Sequence, residues 1–296
     1  MLARNSAIII LIKEATVMRI GLVLEGGGMR GLYSQGVIDA FLDAGIKVDG
    51  LVGVSAGALF GVNLLSKQRG RGLRYNKRFI GQKNYMSLWS WLTTGNFVNK
   101  DFTYYKVPLE LDVFDEQTFE ESGADFYAVA TNVETGKPDY LPVKNVFKEM
   151  EIFRASSALP LASKIVEWQG KKYLDGGLSD SIPVEFARSL GFDKLIVVLT
   201  RPKDYRKQPS KGRIYQLFYR KYPNFVKVAS QRWKTYNRQV EEVIKLEKAG
   251  EIFVVRPEKD LDIGRLETNP EKFDEIYNIG LTDTQKIMPK LKAYLK

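Results

Sequence analysis

Apolar residues fall in short dense runs separated by segments of helical spacing. Residues 19–24 (RIGLVL) read as a buried strand, and beyond Gly31 the positions Tyr33, Val37, Ala40, Phe41 and Ala44 recur with the period of an amphipathic helix. Gly45 is placed to end that helix, residues 48–54 form a second strand, and this strand runs directly into a helix starting near Ala56. The resulting βαβα unit predicts parallel strands joined by a right-handed crossover. Residues 126–131, 194–200 and 251–255 are apolar and β-branched enough for further strands of a covered sheet. Residues 164–174 read as a hairpin turning at Gln169 and Gly170, and a last helix is expected from Thr282.

Two segments break this rhythm. Residues 85–102 set Met86, Leu88, Trp89, Trp91, Leu92 and Phe97 among small polar residues without a clean period. The plainer reading is a buried loop or irregular helix; the sharper one is a lipid-facing flap. Residues 201–238 carry twelve Lys or Arg against a single acid, Asp204, interleaved with Tyr215, Phe218, Tyr219, Tyr222, Phe225, Trp233 and Tyr236. That stretch opens a basic, mostly helical carboxy-terminal extension over residues 201–296. It is read either as a solvated face on packed helices or as a surface for anionic membrane.

Composition narrows the chemistry. With 296 residues, 44% of them hydrophobic, the chain can bury a large core. A net charge of +10 favours anionic partners, and the basic stretch matches no nucleic-acid recognition motif, so no nucleic acid is expected. Residues 1–17 stand apart as a leader: the apolar run at residues 7–12 is followed by Lys13 and Glu14 and is too short for a signal-peptide core or a membrane span. These features predict a cytoplasmic protein, peripheral at the inner membrane face. They carry no signal for oligomeric state.

The chain has neither cysteine nor histidine. A Ser-His-Asp triad, a His-ligated metal and a thiolate zinc site are therefore excluded within it, and a nucleophile must find its base among carboxylates or lysines. Against that background Gly53-Val54-Ser55-Ala56-Gly57 stands out, a G-x-S-x-G placed between an apolar strand and a helix. A serine on so sharp a turn presents its hydroxyl, Gly53 and Gly57 avoid clashes, and the helix behind it aims free amides at developing negative charge. Residues 26–31 (GGGMRG) lie at the end of the first strand. The amides of Gly26, Gly27 and Gly28 can approach a tetrahedral oxyanion unobstructed, with Arg30 supporting the loop or the charge. The same letters satisfy G-x-G-x-x-G, and Asp49 lies about twenty residues on, so a dinucleotide-binding loop is a rival reading. Asp175-Gly176-Gly177 is on its face a turn. Without histidine, and without a Ser-x-x-Lys, a carboxylate near Ser55 would serve as base, but spacing alone does not choose Asp175 from the other acids.

Together, GGGxRG, then G-x-S-x-G, then Asp-Gly-Gly in that order resemble the patatin-like phospholipase family, as do residues 155–160 (ASSALP) and 181–183 (SIP). The likeness covers roughly residues 18–200, the expected catalytic domain. It implies an α/β/α three-layer sandwich with a mainly parallel sheet, Ser55 as nucleophile and Asp175 as its partner in a dyad. It further implies an oxyanion hole formed or braced by Gly26, Gly27, Gly28 and Arg30, Gly176 and Gly177 in the loop after the base, and a lipid or fatty-acyl ester substrate. No metal or other cofactor is required. The other readings are a nucleotide-binding protein using residues 26–31, and a lipid-binding protein on the same fold without turnover.

Overall fold

The computed structural model describes residues 18–209 and 212–296; residues 1–17, expected to form a leader, and Ser210 and Lys211 lie outside the described residues. Strand β1 (Ile20–Leu24), helix α1 (Gly31–Asp43), β2 (Gly50–Val54) and α2 (Ala56–Leu65) form the opening unit, with β1 and β2 parallel. Gly45 follows α1 at φ 68°, the left-handed conformation that stops a helix. Next come α3 (Arg71–Phe79), α4 (Leu88–Thr94), a π-type helical segment (Lys100–Leu111) and α5 (Glu116–Glu121), leading to β3 (Asp125–Asn132) and β4 (Pro138–Pro142). Helix α6 (Met150–Ser157) precedes the hairpin β5 (Val166–Trp168) and β6 (Lys171–Asp175). Its two-residue turn, Gln169 and Gly170, has both residues at positive φ, as the twist of a tight hairpin requires. The chain closes with α7 (Val184–Ser189), β7 (Lys194–Val198), α8 (Arg213–Phe218), α9 (Pro223–Lys248), β8 (Phe253–Val255) and α10 (Pro270–Tyr294).

These strands make one mixed sheet in the order β5-β6-β3-β2-β1-β7-β8, with β4 also on β3. From β3 through β8 neighbours are parallel, whereas β4, β5 and β6 run antiparallel to theirs. Both faces are covered because the strand residues alternate between two cores. Leu22, Leu24, Leu51, Phe126, Ile196 and Val198 face one, with α1, α2, α6 and α10; Val23, Val52, Leu195 and Val197 face the other, with α7 and α9. The architecture is the expected three-layer α/β/α sandwich.

The carboxy-terminal part is woven into this sandwich, since β8 extends the sheet beside β7 and α10 packs along α1. The two helices approach at paired glycines: a Cβ on Gly36 would stand 2.1 Å from the Tyr277 carbonyl oxygen, and one on Gly280 2.1 Å from that of Tyr33. Helix α10 begins at Pro270, well before the Thr282 expected from spacing. Asn269 caps it by accepting from the Glu271 amide (3.0 Å), and Pro270 sits in the first turn, where a missing N–H costs nothing. The tryptophan-bearing segment is not a buried loop: it is the short helix α4, with Leu88, Trp89, Trp91 and Leu92 all exposed.

Candidate active site

Backbone conformation singles out Ser55. It sits between β2 and α2 at φ 53°, ψ −121°, a strained conformation for a residue with a Cβ, held by contacts from three sides. Gly57 lets α2 cross tightly over β1, where a Cβ would fall 2.4 Å from the Leu24 carbonyl oxygen; a Cβ on Gly53 would fall 2.6 Å from Ala58 Cα. On Gly26 a Cβ would meet the Val54 carbonyl oxygen at 2.7 Å and Ser55 Cβ at 3.0 Å. The Ser55 amide is buried and donates to Ser156 Oγ (2.9 Å), at the end of α6.

Asp175 reaches the same region along the sheet. Strand β4 occupies one edge of β3 along residues 127–131, so β2 and β6 must share the other. On that edge Val54 pairs with Val129 and Asp175 with the next residue, Ala130. The two strand ends, one leading into Ser55 and one ending in Asp175, therefore meet. Gly176 permits the close approach, since a Cβ there would lie 2.1 Å from the Val129 carbonyl oxygen. Asp175 is 4% exposed; its amide donates to the Ala158 carbonyl and its Oδ1 accepts from the Gly177 amide, both at 2.8 Å. It thus also caps the turn that its Asp-Gly letters suggest.

Ser55, Asp175, Gly26, Gly27, Gly28, Arg30 and Gly177 line one small cleft. No hydrogen bond joins Ser55 Oγ to the Asp175 carboxylate among the described residues, and none is made by the Gly27 and Gly28 amides. Gly28 adopts φ 59°, and the Met29 amide donates to the Arg265 carbonyl (3.1 Å), which docks the carboxy-terminal segment on the glycine loop. Arg30 is buried, its Nε lacks a partner, and burial, with Arg201 and Arg265 nearby, pushes its pKa down to about 10.

On the other side of Ser55 opens a second, apolar cavity of about 150 Å³, walled by α2, α3, the π-type segment and α6 through Phe60, Tyr75, Val107, Phe114, Met150 and Phe153. Gly28, Ser55, Leu159 and Arg265 belong to both spaces. Among the described residues no group of carboxylates is arranged to hold a metal ion.

Asp49 lies elsewhere. It precedes β2 and accepts from the Ile20 amide (2.7 Å), at the opposite end of the parallel strands from the glycine loop. A ribose-binding acid belongs at the carboxyl end of the second strand, so Asp49 cannot complete a dinucleotide site. The ASSALP letters carry no role for Ser156; its neighbours Ala158, bonded to Asp175, and Leu159, in both spaces, place this segment against the whole site. Its position at a helix end before a hairpin was the available signal.

Fold and site together define an α/β sandwich built around a serine elbow in a chain without histidine. The chain belongs to the patatin-like phospholipase family, whose model matches residues 22–188, and a domain of unknown function (DUF6363) matches residues 222–296. It is 34% identical over 191 residues to the uncharacterized protein YjjU of Escherichia coli (strain K12), covering 62% of this chain and 52% of that one. It is 27% identical over 304 residues to lysophospholipase nte1 of Aspergillus fumigatus, covering 93% of this chain and 18% of the fungal protein. The chain therefore spans about half the length of the bacterial relative and less than a fifth of the fungal one. Among solved structures, VipD from Legionella pneumophila is similar at 11% identity and a TM-score of 0.47, covering 92% of this chain and 67% of that one.

Proposed function

We propose that this protein is a serine acyl hydrolase that cleaves fatty-acyl esters of lipids through a Ser55–Asp175 dyad. The observation that carries the reading is the strained Ser55 elbow opening onto a cleft shared with Asp175 and the glycine loop, with an apolar cavity on its other side. Ser55 Oγ attacks the ester carbonyl as Asp175 accepts its proton, and the oxyanion is held by the Gly27 and Gly28 amides and the start of α2. The alcohol departs with the proton, leaving the acyl group on Ser55. Water, deprotonated by Asp175, then releases the fatty acid. The apolar cavity takes the acyl chain, and the hydrogen bond between Ser55 and Asp175 forms when substrate is bound. The fungal relatives' name, lysophospholipase, agrees with this chemistry.

Attachment to an anionic lipid surface is part of the proposal. Trp91 of α4 donates to the Leu161 carbonyl and Tyr219, just after α8, accepts from the Leu161 amide. The exposed Leu88, Trp89 and Leu92 thus lie on one side of the loop carrying Leu159, and the exposed Ile214, Leu217 and Phe218 on another, with exposed Arg213, Arg220 and Lys221 nearby. No helix among the described residues is long and apolar enough to cross a membrane. Of the aromatics in the basic stretch, Tyr219, Phe225 and Tyr236 are core residues and are not available to lipid, whereas Phe218 of α8 is exposed.

Fluorophosphonate labelling with peptide mapping tests the reaction. Labelling at Ser55 that vanishes in Ser55→Ala and falls sharply in Asp175→Asn is expected; folded protein that does not label in the presence of detergent would leave a lipid-binding protein without turnover.

A further inference from the structure

The polar cleft beside Ser55 carries an unusual charge. Besides Arg30, it is lined by Lys207, Arg232 and Arg265, and none of the four forms an ion pair among the described residues. Arg30 and Arg232 each bury an Nε without a partner. The carboxylates that act on the cluster are Glu25, held by the Thr200 amide (2.7 Å), and Asp175, so cations outnumber anions two to one. Burial first, then Arg232, Arg265 and Arg30, push the Lys207 pKa well down, with Glu25 opposing.

The backbone carrying Lys207 and Arg265 is anchored beside the cleft, Arg265 itself being exposed, and Arg232 reaches it from α9. Lys207 is clamped to α9 by reciprocal backbone bonds with Asn237: its amide donates to Asn237 Oδ1 (2.8 Å) and its carbonyl accepts from Asn237 Nδ2 (3.0 Å). Arg232 projects from α9 toward Gly177, where a Cβ would stand 3.0 Å from its Nη2. Arg265 is fixed by its carbonyl on the Met29 amide. Like charges gathered in a half-buried cleft, with only Glu25 and Asp175 opposing them, repel one another, and an anion bound among them relieves that repulsion.

We propose that Lys207, Arg232 and Arg265 form the subsite that binds a phosphate on the leaving group and so set a preference for phospholipid over neutral acylglycerol. The inference rests on the acyl-hydrolase reading and adds the residues that select the leaving group. Ser55 stands at the junction of an apolar space and a cationic one, so an ester bound across it places its chain in the first and its alcohol in the second. Ser55 itself lines the cationic cleft, so a phosphate carried close to the scissile ester, as in a glycerophospholipid, reaches these cations. Arginine and lysine donors recognise a phosphate with charge-assisted hydrogen bonds. Arg232 and Arg265 fall in the region matched by the domain of unknown function, which thereby gains a role in substrate choice.

The test uses the full chain and two readouts. Glycerol 3-phosphate, titrated calorimetrically, is expected to bind wild type, to bind about tenfold or more weakly to Lys207→Gln and Arg232→Gln, and to be partly rescued in Arg232→Lys. In kinetics, the ratio of kcat/KM for 1-palmitoyl-lysophosphatidylglycerol to that for 1-palmitoylglycerol is expected to fall by a similar factor in both Gln variants, chiefly through KM. No binding of glycerol 3-phosphate, equal losses on both esters, or inorganic phosphate binding as tightly as glycerol 3-phosphate would overturn the assignment. If Ser55 is not labelled and neither ester is hydrolysed, the hydrolase reading fails by itself, and the calorimetric arm still decides the subsite.

Discussion

Val54 and Asp175 abut along one edge of β3, paired with its consecutive residues Val129 and Ala130. A parallel strand arriving from one direction and an antiparallel strand arriving from the other bring Ser55, next after Val54, and the Asp175 carboxyl to the same cleft. The arrangement sets position through main-chain hydrogen bonds, which tolerate little drift, rather than through side chains on loops.

Ser156 is expected to matter as much as the glycines. Ser156→Ala leaves the buried Ser55 amide without its acceptor, a cost of about 1–3 kcal/mol, and loosens the elbow. The fluorophosphonate labelling rate of folded Ser156→Ala should drop. An unchanged rate with unchanged stability would show that the bond does not hold the elbow.

Chain-length preference should follow the apolar cavity. Val107 is buried in its wall, and Val107→Trp is expected to shift the optimum toward shorter acyl chains. Each excluded methylene forfeits about 0.8 kcal/mol, roughly fourfold in kcat/KM. A series of p-nitrophenyl esters of increasing length reads this out, and uniform loss across the series would place the chain elsewhere.

The paired glycines of α1 and α10 should be intolerant. In Gly280→Ala the new methyl meets the Tyr33 carbonyl oxygen, so the helices must part, costing about 1–3 kcal/mol. Gly264→Ala, at a position with open space and no positive φ, is the control, and urea unfolding should leave it close to wild type. Equal stability of the two variants would mean that α10 is not docked as described.

Asp180 predicts a pH dependence. Burial raises its carboxyl above the ordinary range, although the Tyr140 hydroxyl (2.7 Å) and Gln239 donate to it. A raised folded pKa means that the native state holds the proton more tightly, so the stabilising contribution is complete below the ordinary carboxylate value and is lost as pH rises through the folded one. The wild-type stability advantage over Asp180→Asn should therefore shrink as pH rises through that window. Urea unfolding across acid pH measures it, and a pH-independent difference would contradict the raised value.

The sequence by itself determined the opening βαβα unit, the serine elbow and the hairpin at Gln169-Gly170, because each depends on local sterics: glycines where backbones touch, apolar runs at a strand's length, and positive φ in a tight turn. It also excluded histidine chemistry outright. Only the tertiary structure brought Asp175 to the end of β2, placed Asp49 at the far end of the strands, set Ser156 beneath Ser55 and gathered Lys207, Arg232 and Arg265 around the cleft. Those relations join residues distant in the chain, and they follow from strand order and helix docking, which leave no mark in the local spacing of side chains.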